Sequence, residues 1–496
     1  MTSRPNLLFI LSDQHTQKIA GCYGDPIAET PAIDRLAARG VTFDNAYCAS
    51  PVCVPSRMSL LTGLPPHAQN CWTNDDYLPS DRPTWAHALG ATGYRPVLAG
   101  RMHALGPDQL HGFASRYVGD HSPNWPGVGR HDLGPLAKAN DPWRESLERS
   151  GPGSCSYELK DLDAAEAARK FLRGEGAKRR RGETEPFCLH VGFILPHPPY
   201  VCAPADFARF AGRVPPPALP RPEQEHPWLG WWRSDRGIED VTEAEIQRAR
   251  TAYYGLVASM DRMIGGILDT LDKEGLTENT LIVYASDHGD QLGERGLWWK
   301  HTFYDESVKV PLILSWPGRL PEGERRCQIV ELSGLGPTLL EAVGAPALAN
   351  AQSRSFFGLA HDAQHPWAGE AFAEYCTDAV PAWTGGMAVQ QRMIRTGDWK
   401  LVYYAGYRPQ LFNLREDPQE LHDLAENPAH AVLRDQLVAR VLQDWDPDQV
   451  ARVMRVRRGD KDLIGAWARH VRPEDTYRWE IRPEQNTLVD AQGSAA

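Results

Sequence analysis

At 496 residues the chain is too long for a single small core and long enough for one large α/β domain with an appendage. Hydrophobic residues at 42% and charged residues at 24% sit near the globular average, which excludes disordered and fibrous classes. A formal charge of −11 would repel a nucleic-acid backbone and argues against nucleic acid as a partner.

In chain order, residues Met1 to Asn6 lack the basic-then-apolar arrangement of a leader, and the apolar run Leu7 to Leu11 reads as a first strand. Thr30 followed by Pro31 predicts the start of a helix that stops before Gly40. Val97 to Ala99 reads as a strand, and the basic run Lys178 to Arg181, among Gly174, Gly176 and Gly182, as a solvated loop. Phe187 to Phe193 is a further strand, and the Pro-rich stretch Val214 to Pro222 a loop. Thr242 and Glu245 form a capping box before a long helix ending near Gly275. Its apolar positions Ile246, Ala249, Leu256, Met260, Ile264, Ile267, Leu268 and Leu271 recur at steps suited to packing on a sheet. Leu281 to Ala285 and Leu312 to Ser315 close the series of strands.

From about Gly386 the texture changes to short β-like runs, Met387 to Arg395 and Trp399 to Tyr404, then a helical segment from about Ala431 and a tail beyond Pro483. Strands separated by helices predict an α/β fold with a large, mostly parallel sheet sandwiched by helices over residues 1–385. Residues 386–496 are expected to form a smaller C-terminal antiparallel-sheet domain with an extended tail. Such parallel sheets place ligands outside the carboxyl ends of their strands. No run approaches the roughly 18 apolar residues of a membrane span. Nine scattered cysteines do not form a disulfide pattern, so the expectation is a cytoplasmic protein.

The most specific block is Cys53-Val54-Pro55-Ser56-Arg57, followed by Leu61-Thr62-Gly63. On its own, Cys53 could be a small buried thiol before a helix. Other blocks stand with it. Asp13-Gln14 and Asp287-His288 each directly follow a predicted strand, and either Asp alone could be a turn or cap residue. Gly100-Arg101-Met102-His103, Pro196-His197-Pro198 and Trp298-Trp299-Lys300 complete the set. Two carboxylates, an amide oxygen and an imidazole make a mainly hard donor set, suited to Ca²⁺, with Mn²⁺ or Mg²⁺ as alternatives.

Together, in this order, these blocks resemble the type I sulfatases of the alkaline-phosphatase-like superfamily, over Asn6 to about Leu424. The resemblance implies an alkaline-phosphatase-like fold and a sulfuric ester hydrolase. It implies that Cys53 is oxidised by a formylglycine-generating maturation enzyme to an aldehyde whose hydrate attacks sulfur. The second hydroxyl then expels sulfate, which an ordinary serine could not do. It further implies a single divalent metal held by Asp13, Gln14, Cys53, Asp287 and His288. Arg57 would neutralise charge on the diol, His103 would hold or deprotonate it with Arg101 nearby, and His197 and Lys300 would clamp the sulfate and protonate the leaving oxygen. Leu64 stands where the family usually has Arg, and Arg101 where it has Lys.

Gly106 to Phe113 and Leu292 to Trp298 look like the choline-sulfatase branch, whose metal pairs the phosphonate monoester hydrolases share. The expected substrate is a small sulfate ester. The alternatives are a phosphonate monoester or phosphodiester, whose tetrahedral phosphorus the same clamp fits, or a relative without turnover. Trp125, Trp143, Glu374 and Asp378 are candidates to face an ammonium group. Trp228, Trp231 and Trp232 read as packing rather than a substrate wall. The segment after Trp445 could reach a second subunit in a homo-oligomer.

Overall fold

A computed structural model describes residues 4–128, 132–183, 185–377 and 389–489. An eight-stranded sheet organises the chain, in the order Glu324–Glu331, Val41–Tyr47, Leu312–Ser315, Thr280–Ser286, Asn6–Asp13, Phe187–Pro196, Arg95–Gly100, Ser115–Arg116. All pairings are parallel except those of Leu312–Ser315, which runs against both neighbours. Every residue of Asn6–Asp13, Phe187–Pro196 and Thr280–Ser286 is buried, as strands covered on both faces require. The expected α/β architecture is the observed one.

The long helix Glu243–Lys273 starts at the capping box: Thr242 Oγ1 accepts the Glu245 N–H, and the Glu245 carboxylate accepts the Thr242 N–H. Its apolar stripe packs on the helix Ser156–Arg180 and on the sheet. The helix Pro31–Ala38 also begins as expected, but Thr30 does not cap it with its side chain. The Thr30 hydroxyl accepts the Gly21 N–H and donates to Asp34, so it ties a preceding turn to the helix instead.

Three expectations need correction. Lys178 to Arg180 form the last turn of the Ser156–Arg180 helix, where positive charge meets the negative helix end, so the flanking glycines did not break it. The antiparallel sheet comprises Glu370–Thr377, Val389–Thr396, Trp399–Tyr404 and Gln410–Asn413, so its first strand precedes residue 386. Residues Met387 and Ala388 lie outside the described residues. Finally, the described residues beyond Pro483 are not a free tail: Thr487–Leu488 pairs with Gly151–Ser154, which also pairs with Val201–Cys202. The helix Pro447–Val471 and the C-terminal segment after it lie against their own chain, through Arg469 to Gly127, Asp475 to Asn124 and Asn486 to Ser156.

Candidate active site

Four of the blocks meet because four strands end side by side. Asp13 closes Asn6–Asp13, Asp287 follows Thr280–Ser286, His197 follows Phe187–Pro196, and Arg101 follows Arg95–Gly100. The last turn is tight. Gly100 has φ of +86°, and a Cβ there would lie 2.3 Å from the Gly192 carbonyl oxygen, while the Arg101 N–H donates to that oxygen at 2.7 Å. Only glycine lets the chain turn Arg101 inward at this point.

Cys53 is the first residue of the wholly buried helix Cys53–Thr62. The helix is anchored by Ser56, whose hydroxyl donates to the Asp287 carbonyl at 2.6 Å, and by Val54, whose N–H donates to Asn74. The thiol faces polar groups rather than packed interior. Its Sγ lies 2.9 Å from Lys300 Nζ, 3.2 Å from His288 Nε2 and 3.5 Å from Asp13 Oδ1, and His197 hydrogen-bonds it as well. Asp13, Cys53, Asp287 and His288 each offer an atom within 4.8 Å of the others, all buried.

Arg57 sits one turn along the helix and bridges the two carboxylates, Nε to Asp287 at 2.7 Å and Nη2 to Asp13 at 3.1 Å. Burial pushes the Asp13 carboxyl up, but Arg101 and Arg57 outweigh it and hold the group well below the usual carboxylate range. Asp13 is therefore an anion. Burial lowers His288, which Asp287 only partly offsets, so its imidazole is neutral. Its Nδ1–H donates to the Gly289 carbonyl at 3.1 Å, which leaves the Nε2 lone pair facing the thiol. Two carboxylates, a neutral imidazole and a sulfur or oxygen at residue 53 fit a divalent cation, and the arginines balance the surplus charge. Gln14 reaches this cluster through Lys300: its Oε1 accepts from Nζ at 2.9 Å while its Nε2 donates to Asp290 at 2.6 Å.

Above the cluster opens a cavity of about 330 Å³ whose lining includes Gln14, Arg101, His103, His197 and Lys300. Every catalytic and metal-ligating residue singled out from the sequence is thus brought to one place. His103 Nδ1 accepts from Arg101 Nη2 at 2.8 Å, so the ring presents Nε2–H. Burial and the Arg101 charge both keep it neutral. His197 is kept neutral by burial and then Lys300, and its Nδ1–H donates to the Pro198 carbonyl at 2.6 Å.

Of the ammonium candidates among the described residues, only Trp125 lines the cavity. Glu374 is occupied by His67 and Trp72, Trp143 lies against Arg236, and Asp378 is outside the described residues. Trp228 and Trp232 are buried and stacked, in keeping with packing. Sequence reasoning missed Asp290, which aims the Gln14 amide, and Asp120, Tyr157 and His301, which stand beside or line the cavity. Asp290 could have been suspected, since it follows Asp287-His288-Gly289 directly. His301 likewise follows Trp298-Trp299-Lys300 directly, whereas Asp120 and Tyr157 belong to segments with no motif.

A mostly parallel sheet carrying a buried acidic, imidazole and thiol cluster ringed by cations defines a hydrolase for anionic esters of the alkaline-phosphatase-like class. The chain belongs to the sulfatase family, whose model, Sulfatase, matches residues 5–345, and it is a sulfuric ester hydrolase. A second model, for the N-sulphoglucosamine sulphohydrolase C-terminal region, matches residues 293–446. The choline-sulfatase of Rhizobium meliloti (strain 1021) is 31% identical over 98% of this chain and 94% of that protein. Human arylsulfatase K is 28% identical over 85% of this chain and 79% of that protein. Among solved structures, the phosphonate monoester hydrolase of Agrobacterium radiobacter superposes with a TM-score of 0.73 at 25% identity, covering 89% of this chain and 95% of that one.

Proposed function

We propose that the chain hydrolyses a small sulfate ester through a formylglycine made from Cys53 beside one divalent metal, best suited to Ca²⁺. The observation that carries this reading is the position of Cys53 Sγ, within 3.5 Å of Lys300, His288 and Asp13 and directly behind Lys300 and His197, which line a cavity. Asp13, Asp287 and His288 would hold the metal, with Gln14 beside them. Metal and hydrated aldehyde would supply a polarised oxygen nucleophile and a second hydroxyl whose deprotonation releases sulfate.

The chain's own groups do the rest. Lys300 and His197, which lie over residue 53 and line the cavity, hold the sulfate oxygens and deliver a proton to the leaving oxygen. His197 is neutral in the free protein, with Nε2 open to take a proton once an anion is bound. His103 holds an oxygen of residue 53 through Nε2–H, and Arg101 and Arg57 keep Asp13 charged. At the outer cavity Asp75 and Asp141 join Trp72 and Trp125, an acidic and aromatic rim that supports a cationic leaving group such as choline.

Two measurements test this. Intact mass of protein matured with a formylglycine-generating enzyme should show residue 53 lighter by the exchange of CH₂SH for an aldehyde; an unchanged mass in the native host ends the reading. Rates on choline sulfate, an aryl sulfate and a phosphonate monoester should rank the sulfates first. The likeness to the phosphonate monoester hydrolase favours the second reading, and a phosphonate preference of several decades would establish it.

A further inference from the structure

Arg101 and His103 are both held by Asp120, a residue outside every motif above. Its carboxylate is 1% exposed and does not line the cavity. Oδ2 accepts the backbone N–H of His103 at 2.7 Å, while Oδ1 accepts the backbone N–H of His121 at 2.9 Å and Arg101 Nη1 at 3.4 Å. Arg116 Nη2 stands 3.5 Å from Oδ2. His103 has φ of +59°, a conformation a non-glycine residue keeps only when its surroundings fix it. The bond from its N–H to Asp120 is such a restraint.

Arg101 needs a second anchor for a related reason. Its Nε is bound by Asp13 at 2.7 Å and its Nη2 by His103 Nδ1 at 2.8 Å. A planar guanidinium tied at all three nitrogens has one orientation, where the lysine usual in the family would be a single mobile charge. Asp120 supplies the third tie. It also answers the positive charge of Arg116 and of Lys160, whose buried Nζ has no hydrogen-bond partner among the described residues. Asp120 is fixed in turn by the C-terminal segment: its carbonyl accepts the Trp479 N–H at 2.8 Å, and Gly119 lets Tyr477 approach so closely that a Cβ would lie 1.5 Å from the Tyr477 oxygen.

The geometry points to Asp120 as a positioning residue for ester hydrolysis, acting through Arg101 and His103 without touching substrate. The inference rests on the roles assigned to those two residues above.

The test is a double-mutant cycle of D120N and R101K on the matured full-length chain, with 4-nitrophenyl sulfate as probe and rates normalised to formylglycine content and folded fraction. D120N should lower kcat by about 10–100-fold with KM nearly unchanged, as expected when a supporting group of a site is removed. The double variant should be no slower than the slower single variant, because both act on one guanidinium. D120E, which keeps the charge, should recover part of kcat. Wild-type kcat in D120N, a loss taken by KM, or single losses that multiply would each overturn the assignment. Where D120N yields no folded protein, the same cycle with D120E decides, with non-additive losses supporting the assignment and multiplied losses refuting it. An unmodified Cys53 in the active wild type would sink the formylglycine reading, whereas a failed cycle on protein shown by mass to carry the aldehyde would sink this inference alone.

Discussion

The floor of the site and its wall are assembled in different ways. Around Cys53 every group but Lys300, which stands in a loop, comes from a short block at the end of a central strand or the start of one helix, and Asp13, Arg57, Asp287 and His288 have no exposure at all. The wall of the cavity gathers loop residues far apart in sequence, among them Asp75, His121, Trp125, Asp141 and His301, with Tyr375 from the strand Glu370–Thr377. Part of it is braced from behind by the C-terminal helix, where Trp467 meets Trp125 edge to face at 5.0 Å. Strand ends fix the chemistry, and loops with a distant brace shape what reaches it. The floor should therefore govern kcat, and the wall the choice and affinity of substrate.

The largest effect should come from the floor. Cys53→Ala removes the residue proposed to become the aldehyde, and kcat should fall by at least about 10⁴-fold on every ester tested, as losses of other nucleophiles do. Turnover that survives in this variant would remove Cys53 from the mechanism. Next, Lys300→Met should cost about 10²–10⁴-fold, with a larger loss on an alkyl sulfate than on an aryl sulfate, because an alkoxide needs the proton more than a phenoxide. Equal losses on both would leave Lys300 a binding group only.

How much of this could be read in the sequence depends on the same division. Cys53 with Arg57, Asp13 with Gln14, and Asp287 with His288 are neighbours in sequence because a strand end or a helix turn presents adjacent residues to one point. His103, His197 and Lys300 were legible for the same reason, each lying within three residues of a recognisable block. The expected strands appear in place, since a buried parallel strand leaves an unmistakable apolar run. Asp120 and Tyr157 were not legible, because their place beside the cavity is set by how segments distant in sequence pack. The tail beyond Pro483 shows the limit most plainly: Thr487–Leu488 is a two-residue strand with no periodicity to detect, and its partner Gly151–Ser154 lies over 300 residues earlier.

The wall can be broken by removing its brace, a segment that also fixes Asp120 behind Arg101 and His103. Deleting residues 472–496 removes the bonds from Asp475, Thr476 and Trp479 to residues 120–124 and the pairing of Thr487–Leu488. Loss of several such contacts should weaken substrate binding by roughly 1–3 kcal/mol, read as a rise in KM that D120N alone does not produce, beside a fall in kcat from the loosened Asp120. It should also narrow the preference between choline sulfate and an aryl sulfate. A truncated chain with unaltered KM and ranking would show that the brace is structural only, and would remove the wall from the account of specificity.

The smallest effect concerns how the floor is held. Glu306 is buried beneath it, and its backbone carbonyl accepts the Thr16 hydroxyl just past Asp13. Burial pushes its carboxyl up, but Arg295 and Lys18 pull it down to about 2. A carboxylate with a depressed folded-state pKa contributes stability that is complete above its unfolded value, about 4.3, and is lost as pH falls toward 2. Over that window the single proton adds a slope of at most about 1.4 kcal/mol per pH unit to the stability curve. Glu306→Gln should remove that increment from an acid titration of Tm while lowering stability near neutral pH. The C-terminal deletion should leave the increment in place, because Glu306 is paired with Arg295 and Lys18, neither of which lies in the deleted segment. If the deletion flattened the acid limb as well, floor and wall would be one electrostatic unit, and the division drawn between them would fail.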